Sequence, residues 1–320
     1  MNILLTSAGR RTSLLRAFKS AVELSGGCVI AGDMDGLAPA LFLADKAFSL
    51  PPIKGELYLD RLLTIVEQEK IDLLVPTIDT ELSVLAENAS RFSSIGCKAV
   101  ISSPEVIRIT GDKWNTVSFF KKNGIDVPAS WLPETLVGKE LPSKLFIKPR
   151  NGSASQHTYK AEGCNLTDLI SRVPAPIIQE ELFGPEITVD ALLDFEGTLI
   201  HYVPRQRIKT LAGESIQGQT IDDNPIRGWL CHVFSALGKV GAQGPITLQF
   251  FLTERGPVLT EINPRFGGGF PLAYAAGGQY PQWLVAMASG EKVEPRVGEY
   301  KVGLYMTRHH IEIFSEAKAF

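Results

Sequence analysis

The first hundred residues alternate short apolar runs with amphipathic segments, and this alternation constrains the fold of the 320-residue chain more than any other feature. Residues 2–6 form an apolar run that ends in Ser7-Ala8-Gly9, and a helical pattern follows with Leu14, Leu15, Phe18 and Val22 on one face. Residues 28–33 read as a second strand and 46–50 as a third. The pattern then predicts a helix over 58–69, a strand over 71–77, a helix over 81–92 and a last strand over 98–101. Strands alternating with helices at this spacing imply an α/β fold with a parallel sheet covered on both faces. Its ligand crevice lies at the strand C-terminal ends. Ser7, Gly9, Arg10, Asp33, Thr77 and Asp79 stand at those ends. Asp33 follows the first turn at about the distance of a dinucleotide site. The G-x-G-x-x-G fingerprint is nevertheless absent, because Gly9 is followed by Arg10 and Arg11, which disfavours a nicotinamide cofactor.

From Ser103-Pro104 the texture changes. Two helices are expected, the second over 113–123 with Asp112 as N-cap and Gly124 as the stop. Pro128, Pro133 and Pro142 punctuate a connector, and strands follow over 144–149 and 176–182. Beyond Gly184-Pro185, runs over 186–194, 199–203, 246–252 and 258–262 have hairpin character, so the second half reads as largely antiparallel. The polar stretch 210–225 is expected to be the longest loop. With 32 basic and 35 acidic side chains the net charge is −3, which gives no electrostatic footprint for a nucleic acid or an anionic membrane. Small molecules are the expected partners. Cys28, Cys97, Cys164 and Cys231 form no C-x-x-C pair, and no run of 18 apolar residues occurs. The expectation is a cytoplasmic protein with reduced thiols.

Four segments carry chemistry by their order and spacing. Thr110-Gly111-Asp112-Lys113 sets a cation at a helix start, where the dipole disfavours it. Residues 146–153 place Lys148 inside an apolar strand beside a Gly/Ser/Ala loop whose amides suit an anion. Residues 177–190 contain a strand ending in Gly-Pro, with free backbone groups and apolar neighbours of the kind an adenine edge requires. In the last segment Glu261 and Asn263 are two apart on a strand, hence on one face, and Gln249 can oppose them on the hairpin partner. Three such oxygen ligands beside Arg265 and Gly267-Gly268-Gly269 suit a divalent cation shared with phosphates. Each segment alone also fits an ordinary solvated strand end or turn.

Together the segments resemble the ATP-grasp superfamily, in the branch similar to single halves of the carbamoyl phosphate synthetase large subunit and to stand-alone carboxylate-amine ligases. Glu261-Ile262-Asn263-Pro264-Arg265 is the most specific match, and Thr6 to Arg10, Ala44 to Lys46 and Pro76 to Leu82 look like the family's preceding sheet domain. The resemblance implies a Rossmann-like parallel-sheet domain over 1–102, a small ATP-grasp lid over 103–182 and a larger ATP-grasp domain with mixed or antiparallel sheet over 183–320. It implies that Lys113 and Lys148 hold ATP phosphates under a loop containing Gly152, Ser153 and Ser155. Glu180 and Leu182 would offer backbone to adenine and Glu186 would accept from ribose. Gln249, Glu261 and Asn263 would ligate magnesium, or manganese in its place, with Arg265 at the transferring phosphate. Arg205, Arg207 and Glu214, on the family's substrate-facing loop, and Arg10 would meet the substrate. The implied reaction joins a carboxylate to an amine through an acyl phosphate. Phosphorylation of bicarbonate or carbamate and a non-catalytic ATP-binding module stay open. Ligases of this branch often form homodimers.

Overall fold

The computed structural model describes residues 1–152, 157–162, 166–211 and 214–320. Its first sheet has five parallel strands, β1 (Ile3–Thr6), β2 (Val29–Asp33), β3 (Lys46–Ser49), β4 (Leu73–Pro76) and β5 (Lys98–Ala99), in the order β3-β2-β1-β4-β5. Its two central strands are wholly buried because apolar residues line both faces. Helices α1 (Thr12–Val22) and α2 (Leu57–Gln68) lie on opposite sides: Leu15 and Phe18 pack with Ile3 and Leu5, whereas Leu62 and Ile65 pack with Leu4 and Leu74. The helix expected over 81–92 is broken into α3 (Leu82–Glu87) and α4 (Ala89–Ser94). Asn88 between them leaves helical geometry while its side-chain amide donates to the Val84 carbonyl.

At the C-terminal end of this sheet the turns converge on Glu81. This buried carboxylate accepts from the Tyr58 hydroxyl at 2.6 Å, the Ser7 hydroxyl at 3.2 Å and the Thr77 N–H at 3.1 Å. Burial pushes its pKa up, and those donors oppose the shift. The turn residue Gly9 donates its N–H to Asp33 at 2.8 Å, so Asp33 organises the loop.

Helices α5 (Pro104–Thr110) and α6 (Lys113–Lys122) lead into a four-stranded antiparallel sheet. It contains β6 (Ser130–Trp131), β7 (Lys144–Pro149), β8 (Tyr159–Glu162) and β9 (Pro176–Glu180), ordered β6-β9-β7-β8, with the short helix α7 (Leu166–Ser171) between β8 and β9. Asp112 caps α6 as expected, accepting the Trp114 N–H at 2.8 Å.

The third sheet is antiparallel, with six strands in the order β14-β13-β10-β11-β12-β15. These are β10 (Glu186–Leu193), β11 (Leu199–Leu211), β12 (Glu214–Thr220), β13 (Gly244–Thr253), β14 (Gly256–Asn263) and β15 (Tyr305–Thr307). Helices α8 (Arg227–Gly238), α9 (Phe270–Ala275) and α10 (Tyr280–Ala288) complete the chain's regular elements among the described residues. Much of the stretch expected as a loop over 210–225 is instead strand: β11 runs on to Leu211, and β12 pairs back onto it. The sequence of β12 is mostly polar, so no apolar alternation announces it. Among the described residues, no helix is long and apolar enough to cross a membrane, and Cys28, Cys97 and Cys231 are free thiols.

Replacing Glu81 with alanine leaves the Tyr58 hydroxyl and the Thr77 N–H without their acceptor. We expect Glu81→Ala to lose about 2–3 kcal/mol of stability in urea denaturation, and Glu81→Gln, which retains an acceptor oxygen, to lose less.

Candidate functional site

Along β10 the residues Ile187, Val189, Ala191 and Leu193 pack against Leu230, Val233 and Phe234 of α8. The alternate residues Glu186, Thr188 and Asp190 therefore face the other way. Register carries that polarity across the sheet. Thr188 opposes Gln249 of β13 and Arg205 of β11, Gln249 opposes Glu261 of β14, and Asp190 opposes Thr247, which opposes Asn263. One face of the sheet is thus an apolar core and the other a polar floor.

Above one end of this floor lies a cavity of about 670 Å³. It is lined from the floor by Glu186, Arg207, Gln249, Glu261, Asn263 and Arg265, and from the four-stranded sheet by Phe146, Lys148, Gln179, Glu180, Glu181 and Leu182. Lys113 and Gly152 close one side. Ser153 and Ser155, expected in the phosphate loop, lie outside the described residues.

Most charges in the cavity are already paired. Arg255 clamps the Glu180 carboxylate at 2.5 and 3.1 Å, and the same carboxylate accepts the Ala129 N–H at 2.9 Å. Lys160 pairs with Glu181 at 2.5 Å, and Arg207 donates to Glu186 at 2.5 Å and reaches Gln249 Oε1 at 3.5 Å. Arg265 donates to Asp79 at 2.8 Å, tying the floor to the crevice of the parallel sheet. Among the described residues, Lys113 gives its ammonium only to the Gly152 carbonyl, at 2.8 Å. Lys148, in the interior of β7, and Glu261 form no ion pair among the described residues. Burial pushes the Lys148 ammonium down to about 8, with Lys113 adding to the shift and Glu261 and Glu186 opposing it. Two cations short of anions therefore stand across from an oxygen cluster.

That cluster is the expected cation set. Asn263 Nδ2 donates to Glu261 Oε1 at 3.2 Å, which places the two side chains on one face, and Gln249 stands opposite Glu261. One carboxylate and two amide oxygens are hard donors that fit a magnesium ion sharing phosphate oxygens. They do not amount to an all-protein cage, and among the described residues no three His, Cys, Asp or Glu side chains form a metal cluster.

Asp112 and Arg150 hold the two lysines in relation. Arg150 donates to both Asp112 oxygens, at 3.2 and 2.7 Å, and the Lys113 N–H donates to the Arg150 carbonyl at 3.0 Å. Beyond Leu182, Gly184 sits at φ +134°, where an added Cβ would lie 2.2 Å from the Leu252 carbonyl oxygen, so only glycine brings the β9–β10 turn this close.

The four residues expected to meet a substrate separate. Arg205 and Arg207, expected on a substrate-facing loop, both lie within β11, on the same floor. Arg207 enters the cavity just described, whereas Arg205 is buried and pairs with Asp190 at 2.9 Å. Glu214 opens β12, near Arg11 and Arg308, and Arg10 is exposed at the parallel-sheet crevice. Asp190, Arg255 and Arg308 escaped the sequence reading. The polar alternation inside apolar β10 signals Asp190, whereas nothing local marks Arg308.

Comparison with known proteins agrees with this geometry. A family model described as "PylC-like, N-terminal domain" matches residues 3–100, and one described as "ATP-grasp in the biosynthetic pathway with Ter operon" matches residues 172–309. The chain has the ATP-grasp fold, and its residues 172–309 match an ATP-grasp family. A D-alanine–D-alanine ligase of Corynebacterium urealyticum is 26% identical over 177 residues, covering 46% of this chain and 48% of that ligase. The match thus spans about half of the curated relative. Among solved structures, the biotin carboxylase domain of Hydrogenobacter thermophilus 2-oxoglutarate carboxylase has a TM-score of 0.75 at 15% identity, covering 95% of this chain and 73% of that one. An L-amino acid ligase of Bacillus licheniformis has a TM-score of 0.69 at 18% identity, covering 92% and 77%. At these identities the structural likeness establishes the ATP-grasp fold alone.

An anion bound between Lys113 and Lys148 favours the charged ammonium and raises the Lys148 pKa above about 8. Tripolyphosphate binding is therefore expected to weaken as pH rises through 8. Beyond the protons that tripolyphosphate itself exchanges, binding should take up part of a proton per site near pH 8 and less at pH 6.5. Titration calorimetry in buffers of different ionisation enthalpy measures this uptake, which Lys148→Arg should remove because its guanidinium stays charged.

Proposed function

We propose that the chain is an ATP-dependent carboxylate-amine ligase working through an acyl phosphate. The observation that carries this reading is the pair of cations with no anionic partner among the described residues, Lys113 and half-buried Lys148, facing the Gln249, Glu261 and Asn263 oxygens across one cavity. Nearly every other charge there is already matched. Such a site is complete only with a polyanion and a divalent cation in it. The D-alanine–D-alanine ligase and L-amino acid ligase among the similar proteins support the same reaction class.

In this reading the Lys113 and Lys148 ammonium groups neutralise the phosphates, and Phe146 and Leu182 cover the adenine. Glu186, already oriented by Arg207, accepts from ribose. Gln249, Glu261 and Asn263 would hold magnesium, which screens phosphate charge. Arg265 approaches from the Asp79 side and stabilises charge at the transferring phosphoryl group. A carboxylate oxygen of the substrate attacks the γ-phosphorus, the bond to the departing ADP oxygen breaks, and an acyl phosphate forms. The amine then attacks the acyl carbon, phosphate leaves with the former carboxylate oxygen, and the amine loses a proton. We propose a division at 1–102, 103–182 and 183–320, with the four-stranded sheet serving as the lid that shields the intermediate from water.

Lys148→Ala and Glu261→Ala should each lower acid-dependent ADP release by at least about 100-fold while leaving the thermal midpoint near that of the parent. With an ¹⁸O-labelled carboxylic acid and an amine, label should appear in the released phosphate. Normal turnover in either variant, or ADP release driven by bicarbonate and by no organic acid, overturns the assignment.

A further inference from the structure

Beyond Arg265 the polar floor continues into a second cationic cluster. Arg11 comes from the start of α1, Arg205 from β11, Arg265 from the loop after β14, and Arg308 from the residue after β15. They converge on the glycine triplet. The Arg308 guanidinium donates to the Gly268 carbonyl, an added Cβ at Gly268 would lie 3.1 Å from Arg11 Nη1, and one at Gly269 would lie 2.1 Å from Arg205 Nη2. Arg10 adds a fifth charge nearby.

The carboxylates present do not balance them. Asp190 is committed to Arg205 and Asp79 to Arg265. Glu214 is shared by Arg308 at 3.4 Å and Arg11 at 4.0 Å, both longer than a direct charge-assisted bond. Arg205 Nη1 and Arg265 Nε are buried with no hydrogen-bond partner among the described residues. This end of the floor is therefore short of acceptors. Burial, joined by the neighbouring cations, also draws the Arg11 and Arg308 guanidinium groups below the ordinary arginine range. Crowded, partly desolvated arginines are stabilised by an anion arriving among them.

We infer that the substrate acid carries two anionic groups: the reacting carboxylate beside Arg265, and a second carboxylate or a phosphate held by Arg11 and Arg308 above Gly268. The inference rests on the nucleotide reading of the neighbouring cavity, because that cavity places the reacting group at Arg265. A monocarboxylic acid would leave Arg11 and Arg308 sharing one poorly placed glutamate.

The test is titration calorimetry on the full chain at fixed ionic strength, with and without MgADP. Succinate, glutarate and 3-phosphoglycerate serve as dianionic probes, propionate and butyrate as monoanions, and inorganic phosphate as a free anion. Dianionic acids are expected to bind at least about tenfold more tightly than monoanions. Arg308→Gln and Arg11→Gln, on separate elements, should each erase most of that preference without weakening MgADP, and Arg308→Lys should retain part of it. The tighter of the dicarboxylates and the phosphorylated acid identifies the second anion. The inference is overturned if no dianion binds, if monoanions bind equally well, if inorganic phosphate alone matches 3-phosphoglycerate, or if the preference survives in both glutamine variants. Loss of MgADP binding with an intact, Arg308-dependent dianion preference would overturn the nucleotide reading and leave this site standing.

Discussion

The alternation of side chains along β10 is the constraint on which the rest of the site depends. Ile187, Val189, Ala191 and Leu193 must be buried, and burying them against α8 turns Thr188 and Asp190 to the opposite side. Because neighbouring strands share that pleat, a one-residue slip of β13 or β14 would send Gln249, Glu261 and Asn263 into the apolar core. The hydrophobic packing of one face thus fixes the chemistry of the other. No additional device is needed to keep the three oxygen-bearing side chains together.

A floor so rich in charge has to be neutralised internally, and the pairs that do this are unevenly spread. Glu186 with Arg207, Asp190 with Arg205 and Asp79 with Arg265 are matched one to one. What remains among the described residues is Lys113 and Lys148 across from the unpaired Glu261 on one side of Arg265, and Arg11 and Arg308 sharing Glu214 on the other. Desolvation works against the charged form of Lys148 and draws its pKa down to about 8. The protein holds its site in an electrostatically incomplete state, and polyanionic ligands supply the missing part.

Segments with strong local periodicity were legible in the sequence. The parallel sheet announced itself because runs such as Leu73–Pro76 are apolar throughout and are separated by one-faced helices such as α1. The cap of α6 was legible because Asp112 bonds within its own turn. The break at Asn88 was hidden, since Leu82, Leu85 and Phe92 keep helical spacing across it and pack into one cluster. Strand β12 was hidden as well, because it earns its place through pairing with β11 and not through apolar content. Within the site, Lys148, Glu261 and Asn263 stood out because charged or amide groups interrupt apolar strands. The link between Arg265 and Asp79 joins residues 186 apart, and Arg308 reaches the glycine triplet across 40 positions. Contacts of that kind leave no trace in local pattern.

The Asp112–Arg150 bridge ties the start of α6 to the end of β7, with Lys113 one residue beyond one anchor and Lys148 two residues before the other. The two ammonium groups are thereby mounted on a common brace. If the four-stranded sheet tilts, its lysine carries the helical one with it, because a part-buried ion pair joins the two elements. The placing of these two cations is then a property of Asp112 and Arg150, residues that carry neither ammonium group themselves.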